Sequence, residues 1–304
     1  MKRVKAGIVL FIIISLPVYL QAAFEMQVMG GKSAGVGNTL IVDNEGNESG
    51  FQNPAMLSYV ENLIAQVVYS PVLVGIEESS INCFSGGVAY KYRRMGTLGV
   101  YYNGLSVNAF DENIYNESMV KVLYGNKIVG GFSGGVSLSL LKWSAGFSMF
   151  DGSVKEEANS SLIVNLGAGI VFESVENIKI GLVVDNINTP EISTGDNLPI
   201  EFKLGLVYGK KTVKGWNVYF NLDTEENSLN YNVGTEVRGI MKYFAIRSGL
   251  EVIDSGNGIN FTIGGGYKYK SLRYDIVIDY GFVYPVVNLT GTLGTHIVSI
   301  GIKY

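Results

Sequence analysis

The residue types that most often carry covalent or acid–base chemistry are scarce in this 304-residue chain, which has one histidine, His296, and one cysteine, Cys83. A single thiol excludes an internal disulfide and every multi-cysteine metal site. Gly131-Phe132-Ser133-Gly134-Gly135 spells the G-x-S-x-G pattern of a nucleophile elbow, but that motif needs a strand-to-helix turn with a histidine and an acid in reach. Here Ser133 opens a run with Val136, Leu138 and Leu140 at alternate positions, the pattern of a strand, and His296 shares parity with apolar Val298. The stretch Asp43 to Glu48 offers oxygens of the kind calcium takes, without EF-hand spacing, and a solvated turn is the preferred reading. No catalytic residue, cofactor or metal site is expected, and the chain is not read as an enzyme. What remains is charge at alternate positions. Lys179, Lys203, Glu236, Arg247, Glu251, Arg273, Asp275 and Asp279 each stand opposite apolar neighbours, the pattern of a charge-balanced network inside a lumen. In a water-filled lumen such groups would tune ion passage.

The elements that must position those charges follow from composition and period. Only 16% of residues are charged while 47% are hydrophobic, against roughly 25% charged in a typical soluble domain. The formal charge is −4 and no basic stripe is present, which argues against nucleic acid. At the start, Lys2, Arg3 and Lys5 precede an apolar run from Ala6 to Leu20 and the small pair Ala22-Ala23, the layout of a secretory signal peptide over residues 1–23 cleaved at Ala22 or Ala23, with an uncleaved membrane anchor as the rival reading.

From residue 62 to 304 the chain is written in period two. In 271–281 the even positions are Leu272, Tyr274, Ile276, Ile278 and Tyr280, and the odd ones include Arg273, Asp275 and Asp279. In 199–209, Ile200, Phe202, Leu204, Leu206 and Tyr208 alternate with Glu201, Lys203 and Gly205. Fourteen such segments begin near 62, 81, 97, 118, 131, 161, 177, 199, 215, 229, 242, 258, 272 and 293. Short connections (93–96, 127–130, 174–176, 210–214) take turns with mostly longer ones (71–80, 108–117, 143–160, 187–198, 252–257, 282–292). That alternation is how outer-membrane barrels join antiparallel strands, and an unpaired sheet edge cannot face hydrocarbon, so the sheet must close on itself. The fold expected is an all-β, transmembrane antiparallel barrel of fourteen strands with the apolar set facing lipid. An exported β-sandwich with the apolar set inward is the alternative. Val298, Ile300, Ile302 and Tyr304 share one face, so the chain ends on an aromatic residue suited to a membrane boundary.

Residues 24–61 have no long period. Asn53 before Pro54 reads as a helix N-cap followed by a first-turn proline, and Gly30, Gly31 and Gly35 would permit close packing against an inner wall. A segment of this size is either a periplasmic linker below the barrel or folds back to plug the lumen as a hatch, and the hatch is the expected reading, because a fourteen-stranded ring encloses more space than its inward side chains fill.

The stretch Met29-Gly30-Gly31-Lys32-Ser33-Ala34-Gly35-Val36-Gly37-Asn38, the acid Asp43 and then Asn53-Pro54-Ala55 and Leu57 resemble the N-terminal hatch of the fatty-acid-transporter (FadL-like) outer-membrane barrels, closest to their PorV/PorQ-like relatives. Asn165-Leu166-Gly167-Ala168-Gly169, Asp185-Asn186-Ile187-Asn188, Arg247-Ser248-Gly249-Leu250 and Leu293-Gly294-Thr295-His296 follow in the group's order. Asn44 and Met56 stand where the group commonly has a second acid and a glycine. The resemblance implies a monomeric hatch-bearing barrel in a bacterial outer membrane, in contact with its lipid and with the barrel-assembly machinery. Its function would be passive transport of hydrophobic or small amphipathic solutes. The alternative is a secretion-associated barrel that handles a secretion-system protein, or a structural one. The many polar inward positions count against an apolar carrier.

Overall fold

The computed structural model describes residues 24, 30–45, 47–110, 112–148, 155–174, 177–209, 214–225, 228–239, 241–253, 257–287 and 291–304; the expected signal segment lies outside them. Fourteen of the described strands form one antiparallel ring. They are β1 (Leu63–Val72), β2 (Ser79–Lys91), β3 (Thr97–Ala109), β4 (Glu112–Val129), β5 (Phe132–Ser148), β6 (Ile163–Glu173) and β7 (Ile178–Asp185). There follow β8 (Glu201–Gly209), β9 (Gly215–Glu225), β10 (Ser228–Arg238), β11 (Phe244–Ile253), β12 (Gly258–Lys270), β13 (Asp275–Pro285) and β14 (Thr295–Lys303). Each pairs with its neighbours in sequence, and β1 pairs with β14 from Ile64↔Lys303 to Tyr69↔Val298, which leaves no free edge. The Tyr304 carbonyl accepts from Leu63 N (3.1 Å) and Tyr304 N donates to the Leu63 carbonyl (2.9 Å), fastening the seam at its last residue.

Period two fixes which way each side chain points. On β13, Ile278 is 43% and Tyr280 41% exposed, while Asp279 between them is 4% exposed. Around the ring the outward residues are Val, Leu, Ile, Phe and Tyr, as in the cross-strand pairs Ile278↔Ile300, Leu204↔Leu222 and Leu206↔Phe220. A continuous apolar belt on the outside is incompatible with water and is what hydrocarbon requires, so the inward-facing sandwich alternative is excluded. Aromatic rings mark the rims. At the short-turn end Tyr90 meets Tyr92, Phe132 meets Phe172 and Tyr208 meets Trp216. At the other end Phe84 approaches Tyr102, and Tyr280 donates to or accepts from His296 Nδ1 at 2.8 Å.

Two connections expected to be long are instead strand. β3 and β4 pair out to Ala109↔Glu112, and β5 runs to Ser148, where the short strand Lys155–Asn159 returns along it. β4 has 18 residues, well beyond the roughly 9–11 that span a bilayer. The reason is an inversion of polarity within single strands. Outward residues of β3 to β5 change from Tyr102, Val120 and Leu140 to Ser106, Ser118 and Lys142, while the inward ones change from Asn103, Lys121 and Ser139 to Leu105, Met119 and Leu141. Strands that leave lipid for water must swap faces in this way, and in the sequence the swap looks like the end of a strand.

Candidate functional site

The candidate site is the lumen together with the segment folded into it. Residues 30–60 hold helix α1 (Gly31–Gly35), helix α2 (Glu48–Gln52) and a 3₁₀ helix (Pro54–Tyr59). The 3₁₀ helix begins at Pro54, where the Asn53 side chain accepts from Ala55 N at 3.0 Å. Bonds to the wall come from around the ring. Gly31 N donates to Ser299 Oγ on β14 (3.0 Å), Thr262 Oγ1 on β12 to the Gly35 carbonyl (3.4 Å), and Asn44 Nδ2 to the Gly209 carbonyl on β8 (3.2 Å). Ser58 Oγ donates to Ser133 Oγ on β5 (2.9 Å), so the G-x-S-x-G serine is occupied by the inserted segment, far in sequence and on the opposite face from His296.

Wall glycines form the mould for this segment. A Cβ on Gly125 or Gly135 would meet Pro54, on Gly169 Asn53, on Gly205 Ile41, on Gly234 Val36, and on Gly281 Ala34. Val36, Leu40, Val42, Ala55, Met56 and Leu57 are fully buried as a result. Gly30 is held at φ +150°, and the place of its missing side chain is taken by the Glu48 carboxylate.

The charges fall into linked groups. In the inserted segment, fully buried Asp43 pairs with Lys32 Nζ (3.0 Å) and accepts from Ser49 Oγ (2.8 Å), and its carbonyl accepts from Lys179 Nζ (3.3 Å). Lys179 Nζ also lies 3.9 Å from the centre of the Tyr59 ring and 3.5 Å from Glu173. On the wall, Arg247 bridges Glu236 (2.8 Å) and Asp279 (2.6 Å), with Arg238 3.4 Å from Glu236. Lys203 contacts Glu201 (2.8 Å) and Asp185 (3.8 Å), and Asp185 is also 3.7 Å from Lys121. Glu251 accepts from Asn260 (2.8 Å) and from Asn38 (2.5 Å). Asp275 pairs with Lys268 (3.4 Å), whereas Arg273 lies in the exposed 271–274 turn, apart from the others.

Burial acts against the Lys32 ammonium, but Asp43 and then Tyr219 and Glu236 hold its pKa well above the ordinary lysine value. Burial also disfavours charge on Glu45, yet Lys303, Lys32 and Lys268 keep its carboxyl well below the usual range. Glu48 goes the other way. Burial and nearby Asp279 push it to about 7, although Ser33 N donates to it at 2.8 Å. Lys32, Glu45, Glu48, Arg238, Lys268 and Lys303 line a cavity of about 230 Å³ at the short-turn end.

The opposite half of the lumen has a different character. Inward residues there include Val72, Cys83, Leu105 and Val107, with Tyr115 packed alongside. Trp143 packs against the buried cluster that includes Met119, Leu141 and Ile163, and its indole N–H donates to the Ile192 carbonyl (2.9 Å). Ile192 and Leu198 bring the 186–200 connection inward over this wall. These apolar lining residues were not singled out by sequence reasoning; the signal for them is the polarity inversion in β3 to β5. Among the described residues no group of three or more His, Cys, Asp or Glu is gathered to hold a metal ion.

No family model matches the chain, and no curated protein matches it. Solved structures do. The Ralstonia pickettii toluene transporter TbuX superposes with a TM-score of 0.67 at 10% identity, covering 92% of this chain and 99% of its own. The CymD monoaromatic hydrocarbon channel gives 0.67 at 12% identity, covering 93% and 99%. A Pseudomonas aeruginosa FadL homologue gives 0.61 at 11% identity, with 93% and 99% covered. At such identities the likeness is one of architecture, and this chain has the fourteen-stranded barrel fold of those transporters and channels.

Proposed function

We propose that this protein is a passive outer-membrane transporter for hydrophobic or small amphipathic solutes, with the short-turn end facing the periplasm and the long-connection end facing outward. The observation that carries the reading is the apolar lumenal wall of Val72, Leu105, Val107, Leu141 and Trp143, which lies above the inserted segment at the outward end of the barrel. A polar-solute porin has no use for such a wall, whereas an apolar solute leaving water gains roughly 25 cal/mol per Å² of surface it buries there. Residues 30–60 act as the hatch, and solute must pass between it and the wall toward the cavity ringed by Glu45, Lys268 and Lys303. The toluene transporter and hydrocarbon channel that share the fold support the same solute class.

Uptake of radiolabelled toluene by cells or proteoliposomes bearing the protein tests this. Uptake should exceed that of empty controls and fall in Leu105→Asp and Trp143→Asp variants that remain folded. Uptake equal to empty controls would remove the transport assignment. The resemblance of the hatch motif to PorV/PorQ-like barrels would imply a secretion role instead; crosslinking that captures a secretion component in cells, with no solute uptake, would favour it.

A further inference from the structure

Glu117 stands on β4 within the apolar half of the lumen and is 9% exposed. One oxygen, Oε1, accepts from the Tyr115 hydroxyl (2.8 Å) and from the backbone N of Phe24 (3.0 Å). Among the described residues no lysine or arginine lies within ion-pair distance of it, and Lys121, two inward positions along β4, is engaged with Asp185 at 3.7 Å. An ionised carboxylate in apolar surroundings is costly unless a cation meets it. Phe24 is anomalous in a second way. Its ring is packed in the cluster with Phe51, Ile64 and Tyr101, yet its φ is +74°, a left-handed value that a bulky side chain avoids. A left-handed φ is a constraint that exists only while another residue precedes this one in the chain.

Hydrolysis of one bond removes both anomalies. When signal processing cleaves the Ala23–Phe24 peptide with water, the hydroxyl goes to the Ala23 carbonyl carbon and the proton to the Phe24 nitrogen. The new α-amine, with an ordinary pKa of about 7.7–8.0, takes up a further proton near neutrality and becomes an ammonium. The donor on Glu117 turns from a neutral amide into a cation, and with no residue before it Phe24 no longer has a constrained φ. We infer that Phe24 is the first residue of the mature protein and that its α-ammonium is the counter-ion of Glu117. The chain's own amino terminus is thereby pinned in the upper lumen, its aromatic ring on the same apolar wall proposed for solutes. The inference stands on the processing site and the ion pair, so it survives or fails independently of whether solute is carried.

The test uses full-length protein expressed with its leader and purified from membranes in detergent. Mass spectrometry of the intact chain should show Phe24 as the first residue. An α-amine-selective reagent at pH 7 should label the folded wild type about ten-fold or more slowly than the denatured chain, because reaction requires local opening. Glu117→Gln, shown to be folded by its heat-modifiable gel migration, should label at close to the denatured rate. If that variant does not fold, Glu117→Asp, which keeps the carboxylate one methylene short, should label at a rate between the two. A mature chain beginning elsewhere, a wild-type terminus that labels as fast as the denatured chain, or folded Glu117 variants as protected as wild type would each overturn the inference.

Discussion

Raising the pH from about 5 to about 8 should loosen the hatch, and Glu48 sets the size of the effect. Its carboxylate lies fully inside the barrel, accepting from Ser33 N (2.8 Å), Lys32 N (3.4 Å) and Ser299 Oγ (3.1 Å), with Asp279 close enough to repel it. Burial and that repulsion move it from an ordinary 4.5 to about 7. Between those values the folded protein holds a proton that the unfolded chain has released, so stability falls as pH rises through the window and the full cost stands above it. At about 1.4 kcal/mol per pH unit the difference is about 3 kcal/mol, with the attraction of Arg247 and Lys32 already contained in the value of about 7. Glu48→Gln keeps an acceptor for Ser33 N without the charge. Hydrogen exchange of residues 30–60 in detergent, together with urea unfolding at each pH, reads the outcome. The wild type should lose more protection toward pH 8 than Glu48→Gln, and the variant should be the more stable of the two at pH 8. Taking the difference between the two proteins removes whatever the wall carboxylates contribute. Parallel profiles, with the variant no more stable at pH 8, would refute the reasoning.

Other expectations follow from the same geometry. Arg247→Met strands Glu236 and Asp279 without their shared cation and should cost about 3–5 kcal/mol in urea unfolding; the loss should shrink when Asp279→Asn is added, and full additivity would contradict the bridge. Ile278→Arg places a cation on the lipid-facing belt and should cost about 2–4 kcal/mol in lipid-vesicle folding assays, so an unchanged midpoint would speak against the assigned facing. Gly234→Val drives a side chain into the Val36 carbonyl and should cost about 1–3 kcal/mol by overpacking. Planar-bilayer recordings of that variant should show raised conductance with the barrel intact, and unchanged conductance would mean the hatch does not seal against β10.

Much of the barrel was legible in the sequence because a strand with lipid on one side and a packed lumen on the other must alternate strictly. The run from Tyr274 to Tyr280 shows both which residues face out and where the strand lies. The pairing of Arg247 with Glu236 and Asp279 was legible only as parity, since period two places charges inside without saying which meet. Arg273 shows the limit of parity, for it has the right phase but lies past the end of the strand, in the turn. The upper lumen was hidden for a different reason. At Leu138-Ser139-Leu140-Leu141-Lys142-Trp143 the two faces exchange polarity within six residues, so the alternation breaks where the strand continues into water. Glu117 belongs to the same blind region, and its partner lies 93 positions away in a segment with no period at all.

The wall glycines that receive Pro54, Asn53, Ile41 and Val36 tie two parts of the gene to each other. Each hollow is cut for one protrusion, so drift on either side is tolerated only with a matching change on the other. A hatch grafted from another barrel of the same architecture would meet the wrong relief and be rejected, whatever its own merits as a plug. Inheritance must therefore carry the two as a single unit, even though one is a short irregular segment and the other a cylinder.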